Sequence, residues 1–539
     1  MQKISLILFT LFFSGQLLAQ PLAGTDELGR ILPQNMQVGN LRDKTVAMFY
    51  FLWHEVAPRN NWDLSKIVAA HPEVLNDFHN PNWGTGGIYY YWGEPLYGYY
   101  RGDDYWVHLR NVQLLTDAGV DILVIDATNR LTYPKQADVL MRAMEAVNAQ
   151  GRKAPKIVFY TNTLSGETME EAYNNFYKET AAHRYPNCWY YLDGKPLIIG
   201  VTKEAKGKPF ENFFSYRESQ WPNESHKVNG WPWIEFVRPQ MTYKNSKGQV
   251  EIMNVSVAQH PNPTAGMGGS AFYGNKENWG RSFSKGNPGN PATDIRLGLN
   301  FQEQWDYAIT QNTPFIYITG WNEWIAGKFK SRDDNPQHSW FCDQASPEYS
   351  RDIEPTRTAG LKDNYYMQLV ANIRRYKGIE ANPAASNAKR ISGLGNWNHV
   401  LPIYQDYTGD TQVRNHPGTP VEPLTFYTNQ TGRNDFDKMQ VARDKTNLYF
   451  RAQTVNNISP NSGSNWMRLY IDTDRSAKTG WLGYDYRIIA GTELQQYKNN
   501  QWLTIRKVKY LLNGNQFMVT VPRELLNVAS RAIHVEFKW

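Results

Sequence analysis

Glu323 is the residue whose setting most clearly suggests chemistry, because Trp321 and Asn322 precede it and Trp324 follows it. A carboxylate between indole rings is partly removed from water, which raises its pKa and suits general acid or general base work. The two rings also offer stacking surface for a ring-shaped ligand. The same carboxylate could instead form a salt bridge with an arginine such as Arg238. The residue types alone leave both interpretations open.

The elements that position Glu323 repeat along residues 40–378, where short apolar runs alternate with amphipathic stretches. The predicted strands are 45–53, 120–126, 156–161, 197–201, 233–237, 255–259 and 315–320, with an eighth near 339–341. The predicted helices are 105–118, 136–149, 295–311 and 361–376. Strands that alternate with helices over this length favour the α/β class and a parallel sheet closed into a (β/α)8 TIM-type barrel.

Polar residues follow several of these predicted strands. In a parallel barrel the catalytic groups lie where strands end and the following loops begin. Beside the segment around Glu323, the strand-end side chains that we expect to bind or transform a ligand are Trp53, His54, Asp126, Tyr160, Asn162, Glu235 and His260. The loop at 89–97 adds Tyr91, Trp92 and Glu94, and its aromatic density predicts a wall that faces the ligand. Glu235 lies within an apolar run and needs an arginine or histidine nearby.

The composition points to sugars. The 539 residues include 19 Trp, 33 Tyr and 23 Phe, which is 14% aromatic, while the mean hydropathy of −0.60 describes a polar chain. Sugars present C–H faces to aromatic rings and hydroxyl groups to polar side chains, although aromatic cores give the same count. The net charge of +6 is spread without a basic run, so we expect no nucleic-acid partner. No cofactor or metal pattern appears, and the two cysteines, Cys188 and Cys342, leave pairing open.

The N-terminus is typical of an export signal. A lysine, an apolar run and a small residue at Ala19 predict a signal peptide at residues 1–19. No cysteine follows that would carry a lipid. We therefore expect a chain without a membrane span that acts as a monomer in the periplasm, at the cell surface or outside the cell.

The pattern changes after residue 378. Residues 379–390, with Ala, Asn and Pro383, are typical of a linker between the barrel domain at 20–378 and a second domain at 391–539. There, alternation with period two and turn residues predicts an all-β sandwich, with strands at 447–453, 467–472, 484–490, 502–510, 516–521 and 533–538.

Several of the barrel motifs resemble glycoside hydrolase family 99 and its relatives. The matching segments are Phe-Tyr-Phe-Leu-Trp at 49–53, Tyr-Tyr-Arg-Gly-Asp at 99–103 with His108, Ala-Gly-Val-Asp-Ile-Leu-Val at 118–124, and Ile-Thr-Gly-Trp-Asn-Glu-Trp at 318–324. The resemblance implies a (β/α)8 barrel and a retaining, endo-acting α-mannosidase. It implies that Glu323 is the base, which assists attack by the sugar's own 2-hydroxyl group.

The resemblance fails at the second catalytic position. The family has Asn-Glu-Trp, one further residue and then Glu-Gly, and its general acid falls on Ala326 in this sequence. Glycoside cleavage normally needs two carboxyl groups. We predict that Asp126 supplies the second, although it could equally cap the loop that follows it. The carboxylate-rich segment at 340–352 could also complete the site, or could be a structural loop whose acids bind Arg351 and backbone amides.

The C-terminal domain resembles family 9 carbohydrate-binding modules through its segments at 441–444, 447–450 and 469–474. The resemblance makes Trp466, Trp481, Tyr484 and Trp502 candidate stacking residues, with core positions as the alternative. Asp472 and Asp474 could bind calcium or form a turn.

These observations predict a glycoside hydrolase that acts on a poly- or oligosaccharide. Two alternatives remain open. The substitution at Ala326 suits a glycan-binding protein without catalysis. A lyase that acts on uronic-acid glycans would leave an unsaturated product, although no clear tyrosine, histidine and arginine signature supports it.

Overall fold

The structure, a computed structural model, describes residues 23–55, 62–84, 88–261, 269–271, 277–330, 337–381, 385–419, 425–528 and 534–539. The predicted signal peptide lies outside these residues, as does part of the predicted linker.

Eight parallel strands form a nearly closed sheet in the first part of the chain. They are β1 (Thr45–Tyr50), β2 (Ile122–Ala127), β3 (Lys156–Thr161), β4 (Lys195–Gly200), β5 (Ser215–Gln220), β6 (Gly230–Pro232), β7 (Val250–Ser256) and β8 (Phe315–Thr319). Each pairs with the next from β1 to β6, β7 pairs with β8, and β8 pairs with β1. Only β6 and β7 are neighbours without pairing, and the short strand Thr242–Lys244 runs antiparallel to β7 instead.

The helices cover this sheet unevenly. They are α1 (Tyr105–Ala118), α2 (Pro134–Asn148), α3 (Ser165–Ala172), α4 (Leu299–Gln311) and α5 (Asn364–Lys377), with shorter helices at Asn35–Val38, Leu64–Ala70 and Pro291–Asp294. Asp104 caps α1 by accepting a hydrogen bond from the Trp106 amide. Residues 215–256 are all described and contain no α-helix, so the fold is a barrel-like sheet with incomplete β/α alternation.

Alternate residues of the strands face two different cores. In β1, Ala47 and Phe49 point into the barrel interior, where they pack with Val124 of β2 and Tyr317 of β8. Met48 and its alternating neighbours pack outward against the helices. Both faces of a parallel sheet are covered in this way, which explains why its strands are almost continuously apolar.

Two strand predictions are wrong. The eighth barrel strand is β5 rather than a strand near 339–341, because Ser339–Cys342 pairs antiparallel with Ile325–Lys330 in a separate sheet. The predicted strand at 233–237 is also displaced, since the observed strand β6 ends at Pro232. The separate sheet contains, in order, Gly269–Ala271, Ser339–Cys342, Ile325–Lys330, Tyr89–Tyr91 and Trp62–Asp63. Its strand Ile325–Lys330 begins directly after the segment that holds Glu323.

The C-terminal part contains two five-stranded antiparallel sheets, in agreement with the predicted all-β pattern. One comprises Ile403–Gln405, Phe436–Arg443, Asn447–Thr454, Gln516–Pro522 and Lys509–Asn513. The other comprises Gln501–Lys507, Glu493–Lys498, Tyr486–Ile489, Leu469–Asp472 and Glu536–Lys538. Side chains such as Phe450 and Phe517 from the first sheet and Ile471 from the second share one apolar core. A two-stranded hairpin, Arg414–Pro417 with Phe426–Asn429, stands apart from both sheets.

Part of the predicted second domain is bonded tightly to the barrel. Arg414 is buried, and its guanidinium donates to the Asp104 carboxylate at 2.7 and 2.9 Å and to the Tyr97 carbonyl at 2.9 Å. Asp104 is also the residue that caps α1. The two parts of the chain therefore share a buried ion pair at the start of a barrel helix.

We expect Arg414→Ala to lower the free energy of unfolding by about 3–5 kcal/mol, because it leaves the buried Asp104 carboxylate without its cation. The urea midpoint of the tryptophan fluorescence transition measures this. Arg375→Ala is the matched control, since Arg375 pairs with Asp306 at the surface and such pairs contribute about 0–1 kcal/mol. Equal losses in the two variants would contradict a stabilising role for the buried pair.

Across the described residues, the helices are too short or too polar to traverse a lipid bilayer.

Candidate active site

Glu323 lies in the short segment that connects β8 to the strand Ile325–Lys330. Asn322 fixes this segment against the end of β1, because its side chain accepts from the Phe51 amide at 2.9 Å and donates to the Phe51 carbonyl at 3.1 Å. The backbone amide of Glu323 donates to Asp352 at 2.6 Å. The backbone is thus held on both sides of the carboxyl group.

Glu323 is 5% exposed as a residue, and its side chain is held by one of its two oxygens. Oε2 accepts hydrogen bonds from Arg351 Nη2 at 2.7 Å and from Gln344 Nε2 at 3.1 Å. The Gln344 carbonyl oxygen in turn accepts from the Arg351 amide at 3.1 Å. Oε1 has no hydrogen-bond partner in the part of the chain that the structure describes. One carboxyl oxygen is therefore anchored and the other is left for a ligand.

Arg351 brings a second carboxylate to Glu323. Its Nη2 lies 3.1 Å from Asp343 Oδ1 as well as 2.7 Å from Glu323 Oε2. These two oxygens are therefore at most 5.8 Å apart, which is the sum of the two distances. The Asp343 side chain is 23% exposed, against 7% for that of Glu323. The guanidinium lies 4.9 Å from the centre of the Trp233 ring.

Burial dominates the titration of these acids. Burial raises the pKa of Glu323 well above its ordinary value, the guanidinium of Arg351 opposes this, and the charges of Asp343, Asp352 and Asp126 add to it. Burial likewise raises the pKa of Asp126, and it raises that of Asp352 to about 6. A single arginine cannot neutralise so many neighbouring carboxylates, so the site favours keeping at least one proton near neutral pH.

The two tryptophans beside Glu323 do not form a stacking surface. Trp321 and Trp324 are fully buried, and Trp324 stacks on Trp92 with ring centres 4.6 Å apart. The Trp92 indole donates to Asp352 at 2.8 Å, and the Trp324 indole donates to Glu354. Trp92 and Trp324 therefore orient acids, and Trp321 packs in the core.

Most of the other predicted binding residues are also engaged within the protein. Tyr91 bonds to Thr419 at 2.8 Å, and Tyr160 donates inside the barrel to the Trp231 carbonyl at 3.0 Å. His54 is buried 2.8 Å from the Asn322 carbonyl. These side chains offer no free group in this arrangement, because their polar atoms already satisfy one another or the backbone.

The two predicted glutamates have partners of their own. Glu94 pairs with Lys66 at 2.8 Å and with Arg357 at 3.4 Å. Glu235 needs neither an arginine nor a histidine, contrary to the prediction, because Tyr243 donates to it at 2.8 Å and the amides of the next two residues donate as well. Burial raises the pKa of Glu235.

Of the last three predicted residues, two are half-buried and one lies beside Arg351. Trp53 is half-buried, with its ring 6.0 Å from that of Tyr89. Asn162 is also half-buried and accepts from Ser219 at 2.9 Å. His260 is buried with Nδ1 3.5 Å from Arg351 Nη1, so it belongs to the cluster around Glu323. The binding roles predicted for these three stay predictions.

Asp126 lies close enough to Glu323 for their charges to interact, and one of its carboxylate oxygens caps the following loop. Oδ1 accepts from the Thr128 amide at 3.0 Å and from the Thr128 hydroxyl at 2.7 Å. This is the loop cap that the sequence offers as the alternative to catalysis. The other alternative, a salt bridge from Glu323 to Arg238, is wrong in its partner, because Arg238 pairs with Glu303.

Ala326 lies in a closed apolar cluster. It pairs with Tyr90 in the small sheet and packs among Leu64, Trp83 and Phe341. A carboxyl group at this position would be buried among apolar side chains, so the family's acid position cannot serve here without rearrangement.

One loop supplies residues of the candidate site that the strand-end pattern does not identify. Asp343, Gln344, Arg351, Asp352 and Glu354 all follow Ser339–Cys342, and four of them contact Glu323 or its backbone directly or through Arg351. The density of carboxylates in 340–352 is the signal that indicates them. Tyr133 adds a half-buried ring, whose pKa is raised by burial and by the charges of Asp126 and Glu323.

Two further features concern metals and thiols. Cys188 and Cys342 are both free thiols. In the C-terminal sheets, oxygens of Asp472, Asp474 and Asp485 lie within 4.8 Å of one another, a spacing that a calcium ion can bridge. Asp472 and Asp474 also accept backbone amides, as residues in a tight turn do.

No protein-family model and no curated protein matches this sequence. Solved structures that are similar include two of the GH99 endo-α-mannosidase from Bacteroides thetaiotaomicron, one of them in complex with bis-tris-propane. They are 12% and 13% identical with TM-scores of 0.34 and 0.36, and each match covers 62% of this chain and 98% of that one. A glycoside hydrolase-like protein is 12% identical with a TM-score of 0.29, over 63% of this chain and 95% of its own.

Glu354 gives the site a testable pH dependence. Burial raises its pKa to about 7, against hydrogen bonds from Trp324 and Tyr100 that lower it. Between an unfolded pKa near 4.5 and this value, the folded protein holds a proton that the unfolded chain has lost. Glu354 therefore makes stability fall as the pH rises from about 4.5 to about 7.

Between pH 5 and pH 8, we expect the wild type to lose roughly 3 kcal/mol more stability than Glu354→Gln. The amide of the variant is neutral at both pH values. Urea denaturation at the two pH values measures this difference. The same substitution at the exposed Glu524 is the control. If wild type and Glu354→Gln respond identically to pH, the carboxyl is not held in its protonated form by the fold.

Proposed function

We propose that this chain is an exported glycoside hydrolase that acts on a poly- or oligosaccharide, and that Glu323 is an essential catalytic carboxyl. The observation that carries the proposal is the arrangement at the end of β8. There Glu323 leaves one oxygen without a partner among the described residues, while Arg351 holds its other oxygen and presents a second carboxylate. Two carboxyl groups at this separation are the minimal equipment for cleaving a glycosidic bond.

The strand motifs that resemble glycoside hydrolase family 99 support the same reaction class. In that family the residue at the position of Glu323 is the base, and a second carboxyl group is the acid. Because Ala326 occupies the family's acid position, the second carboxyl must come from another strand end or loop, and Asp126 is the candidate that the strand-end pattern predicts. Export rests on the predicted signal peptide at residues 1–19.

Glu323→Gln should reduce release of sugar by more than about 1000-fold while leaving glycan binding within a few-fold of the wild type, because the amide keeps the shape but cannot exchange a proton. Reducing ends released from a panel of plant and host glycans measure the first effect, and calorimetric titration with a cleaved glycan measures the second. Glu170→Gln, which alters a surface pair with Lys208, is the control.

Other outcomes of this experiment discriminate the alternatives. Binding without release of sugar by the wild type would favour a glycan-binding protein. An ultraviolet-absorbing unsaturated product would favour a lyase. Full activity of Glu323→Gln would contradict the assignment of Glu323.

We further propose that the C-terminal sheets bind glycan, as their resemblance to family 9 carbohydrate-binding modules suggests. Trp481 is 39% exposed and stacks on Tyr470 with ring centres 5.4 Å apart, and Trp502 lies 6.3 Å from Trp481. Tyr484 is half-buried beside Tyr470. Trp466 is a core residue, 1% exposed, so its predicted stacking role is wrong.

We expect Trp481→Ala to weaken retention on an insoluble polysaccharide by about tenfold, since one stacking contact contributes on the order of 1 kcal/mol. The rate on a short soluble oligosaccharide should not change. A pull-down isotherm with insoluble glycan measures retention. Phe426→Ala removes a more exposed ring from the separate hairpin and is the control. A similar loss in both variants would indicate non-specific adsorption.

A further inference from the structure

Asp343 carries a carboxylate that shares a hydrogen-bond donor with Glu323. Both groups contact the same nitrogen, Arg351 Nη2, which limits Glu323 Oε2 and Asp343 Oδ1 to 5.8 Å apart. Carboxyl pairs in retaining glycosidases are about 5–5.5 Å apart, whereas inverting enzymes keep about 6.5–9.5 Å for a water molecule. The limit places Oε2 and Oδ1 below the inverting spacing and does not extend to Oε1 of Glu323.

One positive charge serves two carboxyl groups in this arrangement. Two ionised carboxylates so close together in a buried site repel each other, and such pairs hold a shared proton. The proton favours the carboxyl that is removed further from water. The Glu323 side chain is 7% exposed and that of Asp343 is 23% exposed, so the proton belongs on Glu323.

The hydrogen bonds agree with this division. Glu323 Oε2 accepts two N–H groups and Oε1 has no partner among the described residues, which leaves Oε1 free to carry a proton towards a ligand. Both oxygens of Asp343 accept instead, Oδ1 from Arg351 and Oδ2 from the Cys342 thiol at 3.3 Å. An acceptor at both oxygens is what an ionised carboxylate provides.

We propose that Asp343 is the second catalytic carboxyl of this site and acts as the nucleophile, while Glu323 donates and then recovers the proton. This rests on the proposed glycosidase function and extends it to a retaining reaction through a covalent intermediate. Asp343 thereby takes the role of second carboxyl that the strand-end pattern assigns to Asp126. One oxygen of Asp126, Oδ1, is bonded to Thr128, and no bond joins Asp126 to Arg351 among the described residues.

The reaction balances in two steps. Glu323 transfers its proton to the glycosidic oxygen as the bond from that oxygen to the anomeric carbon breaks, and an Asp343 oxygen forms an ester with that carbon. The leaving sugar departs as an alcohol. In the second step the ionised Glu323 takes a proton from water, whose oxygen attacks the anomeric carbon. The ester bond breaks, and Asp343 is released as a carboxylate.

Several titratable or charged groups surround this pair. The titratable or charged groups that face it are Arg351, Cys342 and Asp352 on the 339–354 loop, Asp126 near the end of β2, Tyr133 before α2 and His260 after β7. Burial lowers the pKa of His260 to about 4, so the imidazole is neutral and adds no charge near neutral pH. Arg351 therefore remains the one cation that touches both carboxyl groups in the described structure.

The decisive experiment compares Asp343→Asn, Asp126→Asn and Glu323→Gln on a glycan that the wild type cleaves and on the 2,4-dinitrophenyl glycoside of the sugar released from it. We expect Asp343→Asn to lose more than about 1000-fold on both substrates. Glu323→Gln should lose as much on the glycan but keep most of its kcat/KM on the aryl glycoside, whose leaving group needs no proton, while kcat falls because the second step lacks its base. Asp306→Asn, at an exposed pair with Arg375, is the control.

Sodium azide separates the two roles. With Asp343→Ala, azide should replace the nucleophile and yield a glycosyl azide of inverted configuration. With Glu323→Gln, azide should attack the intermediate and yield a glycosyl azide of retained configuration. Exchange of these two products would overturn the division of roles. A larger loss for Asp126→Asn than for Asp343→Asn would overturn the choice of Asp343.

A measurement without substrate separates failure of this inference from failure of the proposed function. The infrared difference spectrum of wild type minus Glu323→Gln at pH 6 should contain the carbonyl band of a protonated carboxyl. A difference that contains only carboxylate bands contradicts the proton on Glu323, whatever the activity. A wild type that shows the protonated band but releases no sugar from any glycan contradicts the glycosidase function instead.

Discussion

The arrangement of this site depends on one buried cation, the guanidinium of Arg351. It is 1% exposed and contacts Glu323, Asp343 and the face of Trp233. A buried arginine is tolerable only when carboxylates and hydrogen-bond acceptors surround it. Conversely, Glu323 and Asp343 can approach each other closely only because the cation lies between them. Both carboxyl groups bond to the same guanidinium nitrogen, so the three residues form a single electrostatic unit.

This unit also fixes the loop to the barrel. The loop that follows Ser339–Cys342 returns to the end of β8, where Asp352 accepts the Glu323 amide and the Trp92 indole. Arg281 donates to the Asp352 carbonyl at 2.7 Å and to Ser350 at 2.9 Å. The loop position and the charge balance of the catalytic candidates therefore depend on the same contacts.

Sequence periodicity predicts the regular elements well where burial is simple. The helix at 105–118 and the strand at 156–161 have the predicted bounds, because apolar residues recur there with the expected spacing. The strand β5 has the sequence Ser-Tyr-Arg-Glu-Ser-Gln and shows no apolar pattern. Its Arg217 forms a buried two-bond pair with Glu251 at 2.7 Å, so charge compensation replaces hydrophobic burial and the pattern gives no signal.

The sequence predicts only part of the candidate site. The position of Glu323 after an apolar strand predicts a buried carboxyl, and the structure places it there. The roles of Trp321 and Trp324 were not predictable, because an indole beside an acid can face a sugar or donate its N–H to another buried carboxylate. Here Trp324 donates to Glu354 and both rings are covered. Composition counts rings but does not say which of their faces remain open.

Under the proposed function, the second carboxyl group comes from a loop and not from position 326, so it has to be positioned differently. Two acids three residues apart on one segment would have a separation set by local backbone geometry. Asp343 instead lies on a loop that only the packing of 339–354 holds against Glu323, and its distance from Glu323 is set through the Arg351 guanidinium. A displacement of this loop would lengthen the carboxyl separation and expose Arg351 at once. Catalytic geometry and local stability are therefore coupled through the same salt bridges, which a strand-borne acid would not require.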